Sequence, residues 1–271
     1  MADHEIERDG TALSVSDDGD GHAVVLLHGL TATRRYVVMG SKALERGGHR
    51  VVAYDARGHG TSSPASAPGA YGYEELAADL HAVLDGLGIA RATFAGASMG
   101  AHTIARFAID HPERVAGACF ITPAFLPGRD PGLDGWDRLS DALRDGGVDG
   151  FVAAYRFDTV PEAWRETVEK VIRQRLAAHR HPNAVADALR AVPRSSPFDD
   201  VAQLSALAVP TAVVASRDDA DPGHPLEVGR RWADAIPGAA LHVEDEGRSP
   251  LAWQGGQLSR IIADVATRAA G

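Results

Sequence analysis

The sequence predicts an α/β fold: a mostly parallel, doubly wound sheet with one inserted helical segment. Three observations predict it. Short, mainly apolar runs recur at Ala23–Leu27, Arg50–Tyr54, Ala92–Ala95, Val115–Thr122 and Thr211–Ala215, as strands buried on both faces require, and Ala240–Val243 reads as a further strand. Segments of helical apolar period separate them, and such alternation means parallel pairing with right-handed crossovers. From Pro123 to about Pro210 the alternation stops and only helical candidates remain.

Taken in order, residues 5–20 read as a β-hairpin turning at Asp9-Gly10, followed by the polar turn Asp17–Asp20. Val37–Arg46 reads as a helix stopped by Gly47-Gly48, and a second helix runs from Tyr73 to about Leu87. Within the insert, helices are expected at Trp136–Arg144, Val148–Tyr155, Glu162–Ala178 and Ala184–Ala191, separated by glycine pairs and prolines. The alternation then resumes, with helices at Leu226–Ile236 and Gln257–Arg268. The expected division is a core of residues 1–123 and 210–271, with a helical insert at 124–209.

Composition narrows the function. With 271 residues, 45% of them apolar and 24% charged, the chain can bury a sizeable core. A formal net charge of −10 argues against nucleic acid as a partner, because phosphate neutralisation needs clustered Lys and Arg. The single cysteine, Cys119, rules out an internal disulfide, fits a reducing compartment and sits in an apolar run as a small core residue. The N-terminus, Met1-Ala2-Asp3-His4-Glu5, lacks the apolar stretch of a secretory signal. No apolar run approaches the ~20 residues that span a bilayer. The expectation is a cytoplasmic protein with a small-molecule substrate and no nucleic-acid or membrane partner, its oligomeric state left open. No His/Cys or His/Glu spacing points to a metal and no glycine-rich phosphate loop is present, so no cofactor is expected.

The stretch that carries chemistry is Gly96-Ala97-Ser98-Met99-Gly100. An apolar strand precedes it and an amphipathic helix follows, with Ile104, Ala105, Phe107 and Ala108 on one face. A serine at such a turn is held exposed in a strained conformation, and flanking glycines let strand and helix approach closely. This is the nucleophile-elbow pattern.

With these residues placed, the chain resembles the α/β-hydrolase superfamily along nearly its whole length. The resemblance rests on His28-Gly29 after the first long strand, Asp55–Ser62 after the next, the elbow, and the acidic loop Ser216–Pro222. It implies that the insert is a helical cap over the site. It also implies that Ser98 is the nucleophile, with the backbone N–H groups of Leu30 and Met99 as the oxyanion hole. The acid is expected on the Ser216–Pro222 loop, where Asp219 is favoured by its distance from the strand and Asp221 is the alternative. His28 is expected beside the substrate or in a supporting role in the loop.

One position departs from the family pattern. The base is normally a histidine after the last strand, in a Gly-His pair; here that stretch reads Glu246-Gly247-Arg248-Ser249. A guanidinium stays protonated and cannot accept the serine proton. Arg248 can instead pair with Asp219 or hold a substrate carboxylate. Of the twelve histidines, His224, in Asp221-Pro222-Gly223-His224, is the substitute base of most interest, because it follows the acid loop and titrates near neutral pH. Arg34 and Arg35 are further residues expected near the site. Three functions stay open: a hydrolase of a small ester, thioester or lactone with an atypical base; a lyase, decarboxylase or cyclase acting on an anionic substrate with Arg248 in place of the base; or a ligand-binding protein.

Overall fold

The apolar runs become strands of one sheet because each presents alternate side chains to two helical layers. In the computed structural model, which describes residues 2–217, 221, 223–245 and 253–271, the strands are β1 Ala2–Arg8, β2 Thr11–Asp18, β3 Ala23–Leu27, β4 Arg50–Tyr54, β5 Ala92–Ala97, β6 Val115–Ile121, β7 Thr211–Ala215 and β8 Ala240–Val243. Their spatial order is β1-β2-β4-β3-β5-β6-β7-β8. The β1–β2 and β2–β4 pairs are antiparallel and the others parallel. The helices are α1 Ala43–Arg46, α2 Tyr73–Gly86, α3 Met99–Asp110, α4 Leu133–Ala154, α5 Arg165–Leu176, α6 Pro182–Ala191, α7 Leu226–Ala235 and α8 Gly255–Ala270.

The period of two along each strand divides the core. Val25, Leu27, Phe94, Phe120 and Val213 face one layer with Phe107 and Trp232. Val24, Leu26, Ala95, Ile121 and Val214 face the other, against Leu44, Leu258 and Ile262. Cys119 lies in this second layer, fully buried, where desolvation pushes its thiol up to about 12. Helices and sheet therefore cover one another, and the carboxyl ends of the parallel strands converge on one rim, where open α/β sheets build their sites.

Two expected elements differ. The helix expected over Val37–Arg46 is confined to Ala43–Arg46, because Met39 (φ 49°) and Gly40 (φ 75°) take left-handed backbone that ends any helical run. The two helices expected at Trp136–Arg144 and Val148–Tyr155 form one element, α4, kinked where Gly147 leaves helical geometry (φ 58°, ψ −147°).

Between β6 and β7 the chain is helical among the described residues. Leu143, Phe151, Leu176, Val185, Ala186 and Leu189 form an apolar cluster of their own there. A second cluster, of Ala56, Tyr71, Leu76 and Met99 with Ala184, Ala188 and Val192, ties these helices to the sheet's rim. Leu30 packs against both clusters. None of the described helices is long and apolar enough to cross a membrane.

Beside the sheet's antiparallel end lies a buried ion pair. Arg57 (2% exposed) holds Asp79 (0%) through Nε–Oδ2 at 2.7 Å and Nη2–Oδ1 at 2.6 Å. Arg8 adds a contact at 3.2 Å. Removing one partner strands the other's charge in the interior. Asp79→Ala should therefore lower the unfolding free energy by about 3–5 kcal/mol in urea titrations; an unchanged midpoint would contradict this account of the pair.

Candidate active site

Ser98 links β5 to α3 with φ 50° and ψ −111°. Left-handed backbone is costly for a residue with a Cβ and persists only where its surroundings fix it. Here they do. The Ser98 N–H donates to the Ile121 carbonyl at 2.9 Å, and its own carbonyl accepts from His102 N–H at 3.0 Å. A Cβ on Gly96 would collide with the Gly100 carbonyl, and one on Gly100 with the Leu27 carbonyl. The two glycines thus let α3 sit directly on the ends of β3 and β5. At the first position of α3, the Met99 N–H has no intrahelical acceptor and points with the helix dipole toward the serine.

The Ser98 hydroxyl meets His224, whose Nε2 lies 2.9 Å from Oγ. On the ring's other side Nδ1 lies 2.8 Å from Asp221 Oδ2. A carboxylate only accepts, so Nδ1 carries the proton and Nε2 presents a lone pair to the serine O–H. Both partners come from one turn after β7, three residues apart, each about a quarter exposed (27% of the side chain). Burial opposes the charged imidazole, but the charge and hydrogen bond of Asp221 outweigh it and leave the His224 pKa above its ordinary value. Burial likewise opposes the Asp221 carboxylate; the His224 charge, with hydrogen bonds from His224 and Gly223, overcomes it and holds the carboxyl below its ordinary range. Two residues expected here, Asp219 and Arg248, lie outside the described residues. The carboxylate in contact with His224 is the alternative, Asp221.

The loop after β3 runs beside the serine: a Cβ on Gly29 would lie 3.2 Å from the Ala97 carbonyl oxygen and 3.5 Å from Ser98 Cβ. Leu30 follows, half-buried, then Thr31 in left-handed backbone (φ 64°). His28 does not meet the expectation of a substrate contact, because both ring nitrogens are spent inside the protein. Its Nε2 accepts from Ala56 N–H at 2.9 Å and its Nδ1–H donates to the Gly29 carbonyl at 2.8 Å. It is 2% exposed, and desolvation drives its pKa down to about 3. Its work is to orient the Gly29–Leu30 peptide. Arg34 is also committed elsewhere, to Ser14 and Asp55, and Arg35 is exposed beside Gly40.

Two further groups reach the rim from the helices between β6 and β7. Arg175 Nη2 donates to the Leu30 carbonyl at 2.7 Å and to Thr31 Oγ1 at 2.9 Å. His179 joins Gly60 N–H to the Thr31 carbonyl. Sequence reasoning missed both, since each pairs across more than a hundred residues and no motif marks either. The aromatic residues of this region divide. Phe151 is buried among its neighbouring helices, Tyr155 is half-buried, and Trp164 is exposed (37%). Burial and then the charge of Asp221 raise the Tyr155 pKa, as a phenol close to the site would show. Behind the serine, His102 is buried between the Tyr73 hydroxyl (2.8 Å) and the N–H groups of Ala124 and Phe125. Among the described residues, no group of three or more His, Cys, Asp or Glu is arranged to hold a metal.

Comparison with known proteins agrees with this fold. Residues 22–160 match the family model described as alpha/beta hydrolase fold. The chain is 30% identical over 258 residues to RutD of Variovorax paradoxus, a protein named for carbamate hydrolysis, covering 94% of this chain and 95% of that one. It is 32% identical to the 2-hydroxy-6-oxononadienedioate/2-hydroxy-6-oxononatrienedioate hydrolase of Burkholderia vietnamiensis, covering 88% and 85% respectively. A solved structure of a thermophilic esterase from Thermogutta terrifontis superposes with a TM-score of 0.81 over 100% of both chains at 24% identity, a likeness of fold.

The buried histidines make a prediction about stability. Desolvation drives His28 and His102 down to about 3 and His59 well below its ordinary value. In the unfolded chain each regains a pKa near 6.5, so below that pH the unfolded state binds protons that the folded state refuses. Stability should be full above pH ~6.5 and fall on acidification by about 1.4 kcal/mol per pH unit per histidine. Urea midpoints at pH 7 and pH 5 test this; equal midpoints would contradict it.

Proposed function

We propose a serine-hydrolase function on this premise: the chain belongs to the α/β-hydrolase fold family of enzymes. Its substrate is a small carboxylic ester, thioester or lactone, and its base is His224, on the loop after β7. One observation supports this reading above the rest: the unbroken hydrogen-bonded chain from Asp221 through His224 to the Ser98 hydroxyl.

The roles follow from the chemistry. Ser98 Oγ attacks the acyl carbonyl carbon as His224 Nε2 accepts its proton. The carbonyl oxygen becomes an oxyanion between the N–H groups of Met99 and Leu30, each such donor being worth about 3 kcal/mol in the transition state. Asp221 holds the imidazole in the productive tautomer and stabilises the imidazolium. Collapse of the intermediate breaks the acyl–oxygen (or acyl–sulfur) bond, and the proton from His224 passes to the leaving group. Water, deprotonated by His224, then attacks the acyl-enzyme, releasing the acid and restoring the serine. The helices of 124–209 act as the cap that bounds the acyl pocket. The single, buried Cys119 supports a reducing, cytoplasmic setting.

The non-hydrolytic reading drew its force from the absence of a base at Arg248. The contact of the His224 imidazole with the serine hydroxyl supports the hydrolase reading over it. Ligand binding without chemistry has no need of an imidazole aligned by a carboxylate, so the hydrolase reading is preferred.

Three outcomes are expected with p-nitrophenyl acetate and butyrate. Ser98→Ala should abolish turnover, and His224→Ala should lower kcat by at least about 10²-fold; activity surviving Ser98→Ala would overturn the reading. The kcat/KM profile should rise with pH through an apparent pKa above 6.5, because protonated His224 cannot accept the serine proton and Asp221 raises its pKa. Asp221→Asn should lower kcat by about 10⁴-fold and move the acid limb to lower pH. An acid limb that stayed in place would remove Asp221 from the pair.

A further inference from the structure

The Leu30–Thr31 turn is fastened mainly by residues outside the core. On the core side the Gly29 carbonyl accepts from His28 Nδ1–H at 2.8 Å and from Ala32 N–H at 3.0 Å. These bonds set one edge of the Gly29–Leu30 peptide and direct its N–H the opposite way. The next two carbonyls, of Leu30 and Thr31, are held from the helices between β6 and β7. Arg175 donates to the first at 2.7 Å and also to the Thr31 hydroxyl at 2.9 Å. His179 donates to the second: its Nδ1 accepts from Gly60 N–H at 2.8 Å, so the proton is on Nε2, 3.0 Å from the Thr31 oxygen. The adjoining Arg180 N–H donates to the Gly60 carbonyl at 2.8 Å. His179 is 8% exposed, and the Leu30 side chain is packed into the insert's apolar cluster.

This fastening acts on a strained backbone. Thr31 is β-branched and held at φ 64°, where such residues are outliers sustained only by their surroundings. The two carbonyls flanking its Cα are the ones that Arg175 and His179 grip. Released, Thr31 would relax toward ordinary φ and turn the preceding residue with it. An oxyanion donor works only when it is aimed within a fraction of an ångström at the place where charge develops, and a displacement of about 1 Å can lower a rate by 10²-fold.

We infer that Arg175 and His179 are positioning residues for the oxyanion donor at Leu30, so that docking of the inserted helices completes the catalytic machinery of the core. The inference rests on the hydrolase reading above. It makes Arg175 an internal clamp rather than a ligand for a charged substrate, and the two roles separate experimentally. A clamp acts on kcat for every substrate; a substrate ligand acts on KM for anionic substrates alone.

The test is steady-state hydrolysis of neutral p-nitrophenyl butyrate by the full chain and by Arg175→Met, Arg175→Lys, His179→Leu and His179→Gln. Inhibition by a butyl trifluoromethyl ketone, which forms a tetrahedral oxyanion on the serine, is measured alongside. Arg175→Met and His179→Leu should lower kcat by at least about 10-fold with KM nearly unchanged. The inhibitor should weaken by the same factor as kcat/KM. His179→Gln, which can still accept from Gly60 and donate to Thr31, should recover part of the loss. If Arg175→Met fails to fold, the Lys and Gln variants still give the split between kcat and KM. Wild-type kcat in the folded variants, or a change in KM alone, would overturn the inference while leaving Ser98-dependent turnover intact. Absence of Ser98-dependent turnover in the wild type would instead overturn the hydrolase reading, and the inference with it.

Discussion

The close approach of α3 to the ends of β3 and β5 is the constraint on which the rest depends. Gly96 and Gly100 face backbone at distances no Cβ would tolerate. That contact lets Ser98 remain in left-handed backbone with its hydroxyl at the rim and the start of α3 behind it. The same contact brings the β3 loop, through Gly29, against the serine. The proposed nucleophile, a helix N-terminus and a candidate oxyanion loop thus share one small space because two glycines permit it.

Within that space, environment supports His224 as the proposed base. His28 and His102 also belong to segments that flank the serine, yet both are buried among neutral hydrogen-bond partners and held uncharged, down to about 3. His224 has the opposite surroundings: a carboxylate at 2.8 Å offsets its desolvation and raises its pKa. A general base must carry a positive charge in the transition state, so only the second environment suits the task. Among the described residues, His224 is the histidine that touches both a carboxylate and the Ser98 hydroxyl. The departure from the family pattern is thereby intelligible. Asp221 and His224 occupy one tight turn after β7, so the proposed acid and base reach the serine from a single loop.

Much of this was legible in the sequence. The strands at Ala23–Leu27, Arg50–Tyr54 and Thr211–Ala215 match their apolar stretches, since a strand buried on both faces leaves a nearly continuous apolar record. Ala240–Val243, at the sheet edge, matches its expected bounds without being buried. Ser98 was legible because the elbow needs small residues at fixed offsets. What escaped was information carried by backbone torsion or by distance along the chain. Left-handed Met39 and Gly40 shortened α1, which periodicity alone does not register. The contact of Asp221, the alternative acid, with His224 comes from a turn that brings residues three apart together, while Asp219 lies outside the described residues. The motif of His28 left a substrate contact and a supporting role both open, and its two buried hydrogen bonds favour the supporting one. Arg175 and His179 reach Leu30 and Thr31 across 145 and 148 residues and follow no local rule.

The central claim, that His224 activates Ser98, is tested most directly by the rate at which a fluorophosphonate labels Ser98, followed by peptide mass spectrometry. In the wild type the adduct should fall on Ser98. In His224→Ala labelling should slow by at least about 10²-fold, and added imidazole should restore part of the rate. Undiminished labelling of Ser98 in His224→Ala would contradict the claim, because the serine would then owe its reactivity to a different base.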